Sequence, residues 1–181
     1  MRLRFIAKSD KDSAPLREGG VDLETGIVDA SIGPEIRAQA LFRDRFIGLV
    51  REGHPLCHGT ITPARYAAAL HIGVSRRGRE TGGIDSALAT LGLERTIMVS
   101  VGSFSTALAL ARTTDLIATV PDRHTAALHA GLYRFPLPIP LPEITISLLW
   151  HPRLDADAGH AWLRGCVRAV CAGLDGPALA P

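Results

Sequence analysis

The side chains able to do covalent or metal chemistry are scattered along this chain. Cys57 stands beside His58, a thiol next to a base, but adjacent side chains point apart, and a small apolar thiol in a loop is better read as inert. Cys57, Cys166 and Cys171 lack the paired spacing of a zinc site, and an odd count argues against a disulfide framework. None of the seven histidines, among them His54, His124, His129, His151 and His160, shows ligand spacing; they read as surface or capping residues. Asp10 with Asp12, and Asp155 with Asp157, are i, i+2 pairs in loops, which suits helix caps better than an acid–base pair. GSFST at 102–106 lacks the nucleophile-elbow order, and RGRETGG at 77–83 has neither the order nor the lysine of a phosphate loop. An enzyme is therefore not expected, and no metal or cofactor is implied.

Recognition chemistry is better represented, and the elements around it explain why. RLRFIA, residues 2–7, alternates as a half-buried strand does, and SDKDSAPLREGG then offers caps, an early proline and a glycine pair for one short helix. VDLETGIV (21–28) resumes the strand pattern, and GPEIRAQALF turns through a proline toward LFRDRFIGLVREGHPL (41–56). In that stretch the apolar residues after Arg45 form a strand, with Arg43, Asp44 and Arg45 in a solvated connection before it. Thr62 and Pro63 then start a small-residue helix.

From there strands and helices alternate. HIGVS (71–75), RTIMVSV (95–101) and DLIATV (115–120) read as strands; IDSALATLG (84–92) and SFSTALALARTT (103–114) read as the helices between them. Helices of about ten residues between strands imply a mostly parallel sheet with right-handed crossovers. Asp122 can cap a helix over RHTAALHAG, YRFPLPIPLP is a proline-punctuated extended run, and EITISLLWH (143–151) is the most strongly β-patterned segment. The last helix, capped by Asp157, places Trp162, Leu163, Cys166, Val167 and Val170 on one stripe.

Composition agrees with an α/β chain. Of 181 residues, 46% are hydrophobic but only 5% aromatic, so the core must be built from Ala, Leu, Val and Ile. Net charge is +2 with bases and acids interspersed, which leaves no electrostatic footprint for nucleic acid. The apolar run at the N-terminus is too short for a signal-peptide core, and no stretch approaches the roughly 18 apolar residues of a membrane span. A cytoplasmic home without membrane contact is the expectation.

In open parallel sheets ligands bind at the carboxyl ends of strands, where helix N-termini offer free N–H groups and partial positive charge. Ser103 is placed to cap the helix after RTIMVSV, so the amides of Phe104 and Ser105 are candidates to hold a carboxylate, with the serine hydroxyls assisting. A cap serving only its helix is the plainer alternative. Ser75 follows another strand, with Arg76 and Arg77 positioned to pair an anion bidentately or simply to sit solvated on a loop.

The ordered phrases LFRDRFIGLVREGHPL, TPARYAAALHIGVSRRG, GSFSTALALARTTDLIATVP and ISLLWHPRLDADAGHAWLR resemble the effector-binding domain of LysR-type transcriptional regulators, over about residues 2–173. The resemblance implies two Rossmann-like lobes of the type II periplasmic-binding-protein kind, with a small-molecule cleft between them. Lobe one would hold 1–42 and 122–173, lobe two 43–121, and 174–181 a tail. The chain would cross between them near Phe42 and return at TVPDRH (119–124). Ser31, Ile32 and Gly33 would line the cleft or form an ordinary turn, and Val120 and Pro121 would form a hinge wall.

Two departures from the family pattern stand out. No winged helix-turn-helix is present, so DNA would be contacted only through a domain absent from this chain. Against the family pattern the first strand–helix unit of lobe one is also missing, as in a truncated fragment or a gene start assigned too far downstream. The missing strand would lie between RLRFIAK and VDLETGIV, which makes lobe one the weaker half, open to recruiting a strand or rearranging. The expected function is effector sensing: a small anionic or aromatic metabolite closes the lobes of a homodimer or tetramer and thereby controls transcription. The rival reading is a stand-alone solute-binding protein of the same fold.

Overall fold

A computed structural model of the chain describes residues 2–8, 13–28, 32–75 and 82–173. Asp10, Asp12, Ser31, Arg76 and Arg77, singled out above, lie outside the described residues. The chain divides into two compact units, one of residues 1–43 and 144–180, the other of 44–143 with residue 181.

Residues 2–7 form no strand. Leu3, Phe5 and Ile6 are exposed, Phe5 at 92%. Alternation alone does not make a strand; backbone groups need a neighbour to pair with, and residues 2–7 belong to neither sheet. The first unit begins with α1 (Ala14–Glu18), closed by Gly19 in the left-handed region at φ 82°, then β1 (Glu24–Ile27) and β2 (Arg37–Asp44). β2 replaces the expected turn and solvated connection, and it runs through Arg43 to a buried Asp44.

The second unit holds β3 (Phe46–Arg51), α2 (Pro63–Ala68), β4 (Leu70–Val74), α3 (Gly83–Ala89), β5 (Thr96–Val101), α4 (Phe104–Thr113), β6 (Leu116–Pro121), α5 (Asp122–Thr125) and β7 (Leu132–Pro136). Its sheet has the order β5-β4-β6-β3-β7. β4 is parallel to both β5 and β6, whereas β3 is antiparallel to β6 and to β7. The expected mostly parallel sheet is thus a mixed one: β3 follows β2 after the single residue Arg45, with no helical crossover before it, and runs antiparallel to both of its neighbours, β6 and β7. The pairing of β7 with β3 also keeps residues 122–143 in this unit. The chain therefore returns to the first unit between Glu143 and Ile144, and not at residues 119–124.

Helices cover both faces of this sheet. Tyr66 of α2 and Leu88 of α3 pack with Val50, Ile117 and Phe135. Ile117 and Thr119 point toward Tyr66, whose hydroxyl lies 2.8 Å from Thr119 Oγ1, so strand alternation turns Ala118 and Val120 to the other face, where α4 packs. There α4 buries Leu108 together with Ala107 and Ala111, two small residues that let it lie close.

The chain re-enters the first unit as β8 (Ile144–Trp150) and α6 (Ala158–Ala172). The sheet there has the order β1-β8-β2, with β1 antiparallel to β8. Leu16, Ile36 and Leu149 cluster there, with Val21 and Ile32 against them, and Phe42 and Leu148 are buried as well. Asp157 caps α6 as expected, accepting from the His160 amide at 2.6 Å. The expected apolar stripe is covered in part: Leu163, Cys166 and Val167 are half-buried, Trp162 and Val170 are 61% and 72% exposed, and His160 is the buried residue of α6. Polar ties also hold the helix. The His160 ring lies 2.9 Å from the Asp22 carbonyl, and Arg164 donates to the Leu154 carbonyl and sits 4.8 Å from the Trp150 ring centre.

Candidate ligand site

Three strand ends and a strand start meet at one end of the second unit's sheet. Because β4, β5 and β6 are parallel, their carboxyl ends lie together, and the antiparallel β3 brings its first residue there: Phe46 pairs with Pro121. Ser75 follows β4 and donates its amide to the Val101 carbonyl of β5 at 2.9 Å. Ser103 follows β5. Of the residues expected to bind ligand, the structure gathers Ser75, Ser103, Phe104, Ser105, Val120 and Pro121 at this end. Ile32 and Gly33 are in the other unit, where Ile32 packs on Leu16, Ile36 and Leu149, and the Gly33 amide donates to Ser13 Oγ at 3.2 Å.

Ser103 is the N-cap of α4, as its position after a strand implied. Its Oγ accepts from the Thr106 amide at 3.2 Å and lies 3.0 Å from Ser105 Oγ and 2.8 Å from Thr106 Oγ1. Helical geometry leaves the amides of Phe104 and Ser105 without an intrahelical acceptor. Three hydroxyls and two aimed N–H groups at the positive end of a ten-residue helix form a donor-rich spot suited to a carboxylate oxygen.

Beside it lies an aromatic group that the sequence reading missed. The Phe104 ring meets Phe46 edge-on at 6.5 Å between centroids and meets His124 edge-on at 6.3 Å. Phe46 and Phe104 are half-buried and His124 is exposed, so one rim of the group is wet. These residues come from β3, α4 and α5, separated by long stretches of chain, and no local pattern announces their meeting. Val120 and Pro121 are buried, with Val120 turned toward α4; they back this wall rather than face solvent.

The helix after β6 is capped differently from expectation. Asp122 lies inside α5, and the residue at its N-cap is Pro121, which has no side chain able to cap. Asp44 takes that role across the fold, accepting from the Arg123 amide with Oδ1 and from the His124 amide with Oδ2, each at 2.9 Å. Asp122 is buried with Thr125 and His129 behind the wall. Thr125 donates to the Pro121 carbonyl, and its hydroxyl lies 2.8 Å from His129 Nε2. Burial pushes the His129 imidazole below its ordinary value, against the pull of Asp122.

The histidines divide in the same way. His54 and His151 cap short 3-10 turns through Nδ1, as read from sequence, but His54, His71, His129 and His160 are buried. Among the described residues no three His, Cys, Asp or Glu side chains converge as a metal site, and no helix is long and apolar enough to cross a membrane.

A model of the LysR substrate binding domain matches residues 2–172. The chain is 33% identical over 151 residues to the HTH-type transcriptional activator NagR of a Ralstonia species, covering 79% of this chain and 50% of that protein. The chain thus spans about half the length of the curated relatives it matches. Among solved structures, a transcriptional regulator from Pseudomonas aeruginosa is 31% identical with a TM-score of 0.78, covering 93% of this chain and 56% of that one. The effector-binding domain of QuiR, solved with shikimate, is 18% identical with a TM-score of 0.66, covering 88% and 76% respectively, a likeness of fold.

Proposed function

Since the chain belongs to the LysR substrate-binding domain family, we propose that it senses a small carboxylate through the Ser103 cap and the aromatic wall beside it, and passes that occupancy to transcription. The observation that carries this reading is the meeting of the hydroxyl-lined N-terminus of α4 with Phe46, Phe104 and His124 at the carboxyl end of the sheet. An anion is favoured by the helix end and by three convergent hydroxyls. A ring or other flat apolar body is favoured by the half-buried phenyl faces. Ser75 completes the polar rim, and Pro121 supports Phe46 from the neighbouring strand. QuiR, of the same fold, holds shikimate, a ring bearing a carboxylate. Recognition without turnover belongs to this reading, as does a downstream effect on DNA in a protein as long as its relatives.

Benzoate and shikimate are suitable probes, because each pairs a ring with a carboxylate. In amide NMR titrations at least one should move the signals of Ser103 to Thr106. Ser103→Asp preserves a good N-cap but puts a negative charge where the ligand carboxylate would lie, so it should abolish those shifts while α4 stays folded. Shifts that persist in Ser103→Asp, or that fall elsewhere in the chain, would rule out this site.

A further inference from the structure

Asp44 is the first residue of the second unit, and its carboxylate is buried at 3% exposure. Oδ1 accepts from the Arg45 amide at 2.8 Å and from the Arg123 amide at 2.9 Å; Oδ2 accepts from the His124 amide at 2.9 Å. The Asp122 amide answers by donating to the Arg45 carbonyl at 2.9 Å. A buried carboxylate with three backbone donors is a costly group to place unless the geometry it fixes is used. Here it fixes α5, a four-residue helix that has no cap of its own and is too short to hold itself. What α5 carries toward the candidate site is the His124 ring, set against Phe104, the residue next to Ser103.

We propose that Asp44 is a positioning residue for the ligand site: by holding the amides of Arg123 and His124 it sets the His124 ring, which in turn seats Phe104 and the Ser103 cap. The link runs both ways. A ligand that displaces Phe104 or His124 strains the bonds to Asp44, so occupancy is felt at the point where the chain enters this unit. This role rests on the proposed ligand site but does not depend on the ligand's identity.

Asp44→Asn tests it with no change of shape, since one acceptor oxygen becomes an NH2 group that must face a backbone N–H. In ligand-free protein the amides of Arg123 and His124 should exchange at least tenfold faster, and the ring signals of His124 and Phe104 should move, while β3, β4 and β6 keep their spectrum. Benzoate affinity should fall about tenfold, and Asp44→Ser, which can still cap through one oxygen, should recover part of it. Unchanged exchange and ring signals in Asp44→Asn would overturn the proposal. Should that variant not fold, His124→Ala decides: it leaves the Asp44 bonds intact but removes the ring. It should shift the Phe104 and Ser103 signals; silence there would also overturn the proposal. If benzoate binds neither wild type nor variant, the ligand reading fails, yet the exchange and ring-signal measurements still decide the positioning role.

Discussion

His71 shows how much a single residue can take from its surroundings. It is fully buried on β4, its Nε2 lies 2.8 Å from the Tyr66 carbonyl, and its ring meets Tyr66 edge-on at 4.6 Å. Nε2 must therefore carry the hydrogen, and Nδ1 has no hydrogen-bond partner among the described residues. Burial pushes the imidazole down to about 4, with nearby Arg95 adding to the effect and the Tyr66 bond opposing it. The folded pKa lies below the unfolded one, so protonation favours the unfolded chain. Stability from this group is complete above about pH 6.5 and declines as pH falls toward about 4, by about 3 kcal/mol over the window. His129, lowered by burial as well, acts with the same sign. Urea denaturation of wild type at pH 7.5 and pH 5 should show the loss, and His71→Gln should be less stable at pH 7.5 but lose less on acidification. The sequence gives no sign of this residue's role; it reads only as the first member of a strand.

At the scale of elements, β3 is the strand on which the second unit depends. Ile47, Gly48, Leu49 and Val50 are all buried, as befits a strand covered on both faces and paired on both edges. Gly48 pairs with Thr119 on one side and Phe135 on the other, and a Cβ there would overlap the Phe135 ring, itself 2% exposed. The ring is walled in by Tyr66 and Tyr133 and cannot simply swing away. Gly48→Ala should therefore destabilise the protein by about 1–3 kcal/mol, the usual cost of overpacking. Phe135→Leu in the same background should recover part of that loss, and thermal melts of the single and double variants check the coupling. The strand itself was legible from its apolar run, and α4 from its serine cap and small-residue spacing. β2 was not, because its charged and small residues carry no strand pattern, and α5 was not capped where the sequence placed an aspartate.

For the whole molecule, the two units differ in how much apolar surface they bury. The second has a cluster running from Val50 and Leu56 through Tyr66 and Leu88 to Phe135 and Ile139, with α4 on the opposite face. Among the described residues of the first, the buried apolar side chains are Leu16, Ile36, Phe42, Leu148 and Leu149, whereas Phe5, Ile27, Trp162 and Val170 are exposed, and polar ties add to the half-buried apolar residues of α6. Local opening follows buried area, so amide exchange should be slowest in β3, β4 and β6 and at least tenfold faster in β1 and β8. Equal protection in the two sheets would contradict this. By itself the sequence determined the α/β class, the family, the strand–helix alternation over 62–121 and the Ser103 cap. The class, the alternation and the cap follow from side-chain periodicity and cap chemistry, which act over a few residues; the family follows from the resemblance of whole ordered phrases. Only the tertiary structure decided that residues 122–143 stay with the second unit, that residues 2–7 form no strand, and that Asp44 reaches Arg123 and His124. It also decided that Phe46, Phe104 and His124 share one wall. Each of these depends on which distant strand or helix supplies the partner for a backbone or side-chain group, and periodicity along the chain carries no record of that choice.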